Sequence, residues 1–219
     1  GDMDKVSLHN LARENAWINS NVGTYHTNRT AEFTGGVRGK LGSKISYGGG
    51  LSIANLKNWY FYRNDETDQA KFNVQYDVGN AKRTNFFGEL SFAHADKARI
   101  SVRGDYFGYS TSTVAEAWHR PKYRLGVNTA FNIYSKLLFN VDALAQGGAK
   151  ADVYNQVTDT RSTTTLPAAF DLNAKLSYLF SKQFSVFIKG NNLLSNEYPI
   201  YLNYSVRGLN VMGGLTWVF

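Results

Sequence analysis

The feature that most constrains the fold is an alternation of apolar and polar residues that continues to the last residue of the chain. Between Leu209 and Phe219 every second residue is apolar or glycine, and the residues between them are smaller and more polar. The apolar face consists of Leu209, Val211, Gly213, Leu215, Trp217 and Phe219. A period of two is the period of a β-strand. A last strand of this kind is typical of a membrane β-barrel, and the alternative is the amphipathic last strand of a β-sandwich.

The same alternation is regular from residue 30 onwards and predicts an all-β, antiparallel protein. In the first regular segment Phe33 and Val37 lie on one face, and Glu32 and Arg38 lie on the other. Residues 30–219 are expected to form about nine strands. Residues 1–29 are a weakly patterned lead-in with room for a tenth strand.

Strand length and loop lengths favour a barrel over a sandwich. The segments run for about 10–15 residues, which exceeds ordinary globular strands and matches tilted membrane strands. Short turns at 42–44, 94–97, 134–136 and 180–182 alternate with long polar connections near 63–70, 111–121, 149–166 and 195–206. Barrels of the outer membrane have this arrangement, with short periplasmic turns and longer extracellular loops. Each short turn also carries a lysine: Lys44, Lys97, Lys136 and Lys182.

Composition is consistent with strands that cross a membrane. No run approaches the roughly 18 apolar residues that a spanning helix needs. In hydrocarbon every backbone polar group must be paired, so a span made of strands has to close into a barrel. We therefore predict an up-and-down transmembrane β-barrel, with the apolar faces towards lipid and the polar faces towards a wet interior. The residues expected to face that interior are Arg99, Arg103, Asp105, Arg124, Asn128, Asn140, Asp142, Asp171, Lys175 and Lys189.

Several other site chemistries are not favoured by the sequence. Cysteine is absent, and the four histidines form no pair at metal-ligand spacing, so we expect no metal site and no cofactor. The net charge of +7 is dispersed along the strands rather than clustered, so we expect no nucleic-acid partner. No catalytic constellation is present, and His94 with Asp96 is interpreted as part of a short turn. The chain is therefore expected not to be an enzyme.

Two loop clusters leave alternatives open. Asp65, Glu66 and Asp68 could ligate calcium, although a solvated loop is favoured. The second cluster consists of Tyr198, Tyr201 and Tyr204. These tyrosines could stack on a ligand, belong to an interfacial aromatic girdle, or pack within a loop.

The last fifty residues carry a family resemblance. The stretches DLNAKLSYLF (171–180), SKQFSVFIKGNNLLSNEY (181–198) and VRGLNVMGGLTWVF (206–219) resemble the C-terminal end of TonB-dependent outer-membrane receptors. The matching features are Asn191-Asn192-Leu193, Tyr198, Gly208 and the final Phe219. The stretch AWHRPKYRLGVN (117–128) is similar to Bacteroidetes-type members of that family.

This resemblance implies a barrel of about 22 strands around an N-terminal plug, energised through the periplasmic protein TonB. This sequence departs from that pattern, because it contains no plug, no TonB-contacting segment and too few strands. We therefore expect the C-terminal part of such a barrel in the outer membrane of a Gram-negative bacterium. Its implied partners are lipid, the N-terminal barrel half, the plug, TonB acting through that plug, a surface lipoprotein and an unidentified nutrient. The alternative is a complete barrel of about ten strands, acting as a passive porin or a structural or adhesive protein.

Overall fold

Antiparallel hairpins build one large sheet in the computed structural model, which describes residues 2–5, 7–19, 22 and 27–218. In that part of the chain the sheet has ten strands. In spatial order they are β1 (Asp2–Lys5), β2 (Thr27–Leu41), β3 (Ile45–Asn64), β4 (Phe72–His94), β5 (Ala98–Ser110), β6 (Tyr123–Ile133), β7 (Leu137–Gly147), β10 (Ala169–Leu179), β11 (Phe184–Asn191) and β14 (Asn210–Trp217). The long connections hold two small hairpins, β8 (Lys150–Asn155) with β9 (Thr160–Thr165), and β12 (Pro199–Tyr201) with β13 (Tyr204–Ser205).

All neighbouring strands of the sheet are antiparallel, and they follow one another in chain order except where the small hairpins intervene. The predicted all-β, up-and-down class is therefore confirmed. The sheet is open, with β1 and β14 at its edges. The final strand was predicted over Leu209–Phe219. In the structure β14 begins one residue later and covers Asn210–Trp217, and Phe219 lies outside the described residues.

The two faces of the sheet differ sharply in polarity. Residues that pair across strands point to the same side, so the registers assign every position to a face. On one face the large apolar side chains are exposed, among them Phe33 at 75%, Val37 at 74% and Leu215 at 69%. Within the described residues no second layer covers this face, so the apolar sides do not meet across a sandwich core.

The β3–β4 hairpin extends beyond its neighbours, with strands of 20 and 23 residues. Its register shifts midway, because Lys57 pairs with Asn80 whereas Trp59 pairs with Asp77. This irregularity is a bulge beside Gly79 and Asn80, and Asn58 opposite it has a positive φ of 54°. A bulge changes the face to which the following residues point. Beyond the bulge, side chains on both faces of the ribbon pack against other parts of the chain.

The lead-in contains a helix that its sequence pattern did not reveal. Helix α1 (Leu8–Glu14) is capped by Ser7, whose Oγ accepts a hydrogen bond of 3.2 Å from the Asn10 N–H. Only Leu11 of this seven-residue helix is buried, so no apolar stripe marks it in the sequence. Among the described residues, no helix combines the length and apolar character needed to cross a membrane.

Candidate functional site

The long connections fold together over one end of the sheet. We call this assembly the loop cap and define it as residues 7–19, 59–77, 111–122, 148–168 and 192–206. Its framework is the end of the β3–β4 ribbon beyond the bulge. One face of that ribbon is covered by the connection 111–122, and the other is covered by α1 and the β12–β13 hairpin.

On the first face, Trp59 and Phe61 pack against the 111–122 connection. The rings of these two residues lie 4.5 Å apart at their centroids. Apolar side chains from three elements complete a buried cluster. Its other members are Ala54, Leu56, Ala81, Val114, Ala117 and Trp118.

A buried carboxylate fastens the same connection to the ribbon. Asp77 accepts hydrogen bonds from the N–H groups of Ser112 (2.9 Å) and Thr113 (2.8 Å) and from the Thr113 hydroxyl (2.8 Å). Burial opposes ionisation of Asp77, but these hydrogen bonds favour the carboxylate and hold the pKa of Asp77 below its usual value. Asp77 is therefore a charged clasp between β4 and the connection 111–122.

On the second face, distant parts of the chain meet. Tyr201, in β12, donates a hydrogen bond of 3.0 Å from its hydroxyl to the backbone carbonyl of Glu14 at the end of α1. Trp17 stacks on Tyr204, with ring centroids 4.0 Å apart. The buried members of this cluster are Leu11, Tyr62, Phe72 and Tyr201. Of the three tyrosines considered together in the sequence, Tyr201 and Tyr204 therefore serve loop packing.

His119 joins the two sides of the cap. Its backbone N–H donates to the Lys150 carbonyl at 2.7 Å, and its ring Nε2 accepts from the Leu202 backbone N–H at 3.3 Å. Its ring lies edge-on to Phe72 and Tyr201, with centroid distances of 5.6 and 5.2 Å. Burial and the neighbouring positive charge of Arg120 lower the pKa of His119 to about 4. His119 is therefore neutral near pH 7 and acts as a packing and accepting group.

A cavity of about 200 Å³ lies between these connections and the end of the polar face that is farthest from the short turns. Glu14 and Arg120 meet at its wall, with 3.3 Å between Oε1 and a guanidinium nitrogen. Arg124, from the polar face of β6, also lines it. The other polar or aromatic groups around the space include Tyr62, Trp118, His119, Gln146, Tyr198 and Tyr201.

Three donor-bearing side chains, those of Trp118, Arg120 and Arg124, line the cavity. Trp118 is only 4% exposed, and its Nε1–H has no hydrogen-bond partner. Buried donors are normally paired, so an unpaired indole N–H on one lining residue and the guanidinium groups of two others favour a ligand with oxygen acceptors. Of these lining residues the sequence pointed to Arg124 as a site residue and to Tyr198 and Tyr201 as candidate ligand contacts. The remaining lining residues come from several separate connections and strand ends, and no local motif links them.

The strand registers place on one face of the sheet the ten residues expected to line the interior, and their facing an interior stays a prediction. Along the strand registers Arg103 lies opposite Gly126, Asn128 opposite Asp142, and Lys175 opposite Lys189. Asp105 accepts bonds from Arg103 at 2.9 and 3.0 Å, so these charges form a local pair. Nearer the short turns, a groove of about 410 Å³ on the same face is lined by Arg99, Asn128, Asn140, Asp142, Lys175 and Lys189. Asp171 lies on the same face opposite Leu144.

The terminal-strand residues lie on the opposite, apolar face. Val211, Leu215 and Trp217 pair with Gly190, Val186 and Phe184 of β11 and are all more than half exposed. Leu209 precedes the strand and is 55% exposed.

The other clusters considered from the sequence are parts of loops and turns. Asp65 accepts bonds from the N–H groups of Thr67 and Asp68 and from the side chains of Asn19 and Asn73. His94 ends β4 beside the turn that contains Asp96. In the described part of the chain no group of three or more histidine or acidic side chains is placed to hold a metal ion.

Comparison with solved structures identifies the fold. No family model matches the chain, and no curated protein matches it. The chain is similar to the pyoverdine outer-membrane receptor FpvA of Pseudomonas aeruginosa bound to pyoverdine, with 14% identity and a TM-score of 0.68 over 94% of this chain and 32% of that one. The siderophore receptor PirA of Acinetobacter baumannii gives 14% identity and a TM-score of 0.70 over 88% and 32%. The ferric enterobactin receptor PfeA of P. aeruginosa gives 15% identity and 0.64 over 88% and 31%.

These likenesses establish the fold as that of part of an outer-membrane receptor barrel. The chain spans about a third of the length of these receptors. Its sheet corresponds to a wall segment, and the loop cap lies at the end opposite the short turns.

Proposed function

We propose that this chain forms part of the barrel wall and the outer loops of a TonB-dependent nutrient receptor in the outer membrane of a Gram-negative bacterium. The observation that carries the proposal is a single-layer sheet with one predominantly apolar, exposed face and one charged face. Hydrocarbon on the first side and enclosed water on the second satisfy both faces. The fold similarity to siderophore receptors supports the same role.

The proposal assigns a limited task to this chain. Residues 1–219 supply wall and loops, while the N-terminal barrel half and the plug complete the receptor. TonB acts through that plug, so the chain alone is not competent for active uptake, and a surface lipoprotein can join at the loops. Membership of the Bacteroidetes-type group remains a proposal that depends on the stretch 117–128. No role in this scheme requires enzymatic activity.

For the nutrient we propose a small chelate rich in oxygen acceptors, held in part by the cavity of the loop cap. The receptors with this fold include ones described as bound to pyoverdine and ferripyoverdine. The unpaired Trp118 indole N–H and the guanidinium groups of Arg120 and Arg124 suit such oxygens. Arg124→Gln should weaken binding of a ferric siderophore about tenfold by calorimetry. Arg99→Gln, on the same face but away from the cavity, is the matched control and should leave affinity unchanged.

Spin labels test the membrane placement directly. Labels at Asn128, Asn140 and Asn173 on the polar face should be accessible to water-soluble relaxation agents. Labels at Leu125, Phe139 and Leu172 on the other face should be accessible to oxygen dissolved in lipid. The reverse pattern would reject the proposal.

The alternative, a self-contained passive barrel, would require the edge strands of the sheet to pair with each other. Strands β2 and β14 run in the same direction, so they cannot pair antiparallel with each other. Strand β1 covers only Thr27–Thr30 of β2. Planar-bilayer recordings separate the two ideas, since a complete small barrel gives a defined single-channel conductance and a receptor segment does not.

A further inference from the structure

Three of the short turns share one backbone feature. Gly42, Ala95 and Tyr134 occupy equivalent positions, each with a positive φ, of 65°, 48° and 52°. Two residues later each turn carries a lysine: Lys44, Lys97 and Lys136. The fourth short turn, between β10 and β11, carries Lys182.

The backbone contacts of Lys44, Lys97 and Lys136 are equivalent as well. Each lysine carbonyl accepts a hydrogen bond of 2.8 Å from an N–H group of the neighbouring hairpin. The pairs are Ala93 N–H to Lys44, Asn132 N–H to Lys97, and Leu179 N–H to Lys136. Successive lysines are therefore separated by two strands, or about 10 Å, along one rim of the sheet.

The lysines lie where the apolar face ends. Ile45, Ala98 and Leu137 follow them directly and begin the apolar face of their strands. At the same end Trp217 stands exposed on that face and packs near Phe184, with ring centroids 5.4 Å apart. Aromatic residues of this kind mark the level of the lipid headgroups in membrane barrels.

All four lysines are exposed, and none has a carboxylate within ion-pairing distance in the described part of the chain. The other end of the protein differs, because Arg120, Lys150 and Arg161 in the loop cap are paired with acidic residues. A row of unpaired ammonium groups at headgroup level, carried on flexible stems, suits phosphate groups of lipids.

We propose that the short-turn lysines form a binding rim for anionic phospholipids in the leaflet that faces the periplasm. This inference depends on the proposed placement of the sheet in the outer membrane. Each lysine near an anionic surface contributes about fivefold to the preference for that surface. The rim therefore enriches a lipid such as phosphatidylglycerol over a zwitterionic lipid around this end of the protein.

Tryptophan quenching measures that enrichment. Trp217 is at the lysine end of the apolar face, whereas Trp17, Trp59 and Trp118 lie in the loop cap. The chain is reconstituted in phosphatidylcholine vesicles that contain brominated phosphatidylglycerol or brominated phosphatidylcholine. We expect stronger quenching by the brominated anionic lipid, and a preference that falls at least fivefold when Lys44, Lys97, Lys136 and Lys182 are all changed to Gln.

The matched control changes Lys57, Lys82, Lys122 and Arg207 to Gln at the other end of the sheet. These four residues are also exposed and unpaired among the described residues, so the loss of charge is identical. This control should keep the lipid preference, and Trp217→Phe should remove most of the quenching. Equal quenching by the two lipids in the wild-type chain would reject the rim. Absence of quenching by both would instead contradict the membrane placement itself.

Discussion

The strand region and the loop cap place large apolar side chains in opposite environments, because these side chains are exposed in the first and buried in the second. We call residues 27–58, 78–110, 123–147, 169–191 and 210–217 the sheet wall. In the sheet wall Phe33 is 75% exposed and its backbone is paired to β3. In the loop cap Phe72 is fully buried and touches His119 and Tyr201.

This contrast shows which part of the protein carries its own solvent-excluding core. The sheet wall is held by backbone pairing, and its apolar side is exposed and would be covered by lipid in the proposed placement. The loop cap buries two apolar clusters without help from a membrane. Substitutions should therefore act in the sheet wall through the environment of its two faces and in the loop cap through packing.

The largest effect is expected from Phe72→Ala. Removing a fully buried ring leaves a cavity and should destabilise the loop cap by about 3–5 kcal/mol. Amide hydrogen exchange of α1 and of the β12–β13 hairpin should accelerate accordingly. Phe33→Ala in the sheet wall should leave that exchange unchanged. Equal acceleration by both variants would contradict the distinction between the two regions.

A charge on the apolar face should be next in size. Leu125→Arg places a guanidinium group towards lipid and should cost about 2–4 kcal/mol of unfolding free energy in vesicles. Asn128→Arg, three residues along the same strand but on the polar face, should cost little. Urea titrations followed by tryptophan fluorescence measure both. A similar loss for both variants would mean that the two faces have the same environment.

Acid should weaken the loop cap through His119. The folded pKa of about 4 lies below the usual value of 6.5, so the folded state excludes a proton that the unfolded chain accepts. The contribution is complete above pH 6.5 and decreases as the pH falls towards 4, by about 3 kcal/mol. Hydrogen exchange of the β12–β13 hairpin should report this loss. His119→Gln, which keeps a side-chain acceptor, should remove the pH dependence in this window.

The smallest effect is expected at Asp77. Asp77→Asn retains one acceptor oxygen but loses the charge, and should loosen residues 111–118 by about 1 kcal/mol. Because the folded pKa of Asp77 is depressed, its contribution is present above the usual carboxyl value near 4 and is lost as the pH falls below it. Exchange of the Ser112 and Thr113 amides measures it. Asp96→Asn, in a short turn of the sheet wall, should leave those amides unaffected.

The sheet was predictable because its information is local. Alternation assigned Arg124, Asp142 and Lys175 to one face, and the strand registers bring them together there. The positions of the short turns were also predictable from neighbouring residues. The predicted ends of a strand differ from the observed ends, as at β14, because pairing at the end of a strand depends on the partner strand.

The loop cap was largely unpredictable because its contacts are distant in the chain. Leu11, His119 and Tyr201 each come from a different connection and carry no pattern of their own. One signal was available. In Trp59-Tyr60-Phe61-Tyr62 the alternation is lost and both faces are aromatic, as expected for a ribbon covered on both sides.

The sequence by itself determined the strands, their two faces and the antiparallel order, since a period of two and the length of each turn act over a few residues. Only the tertiary structure decided which connections meet, that α1 closes one side of the ribbon, and that Trp118 is left beside Arg120 and Arg124 around a cavity. Those choices depend on packing between residues separated by up to 187 positions, as for Tyr201 and Glu14. No local periodicity records such contacts.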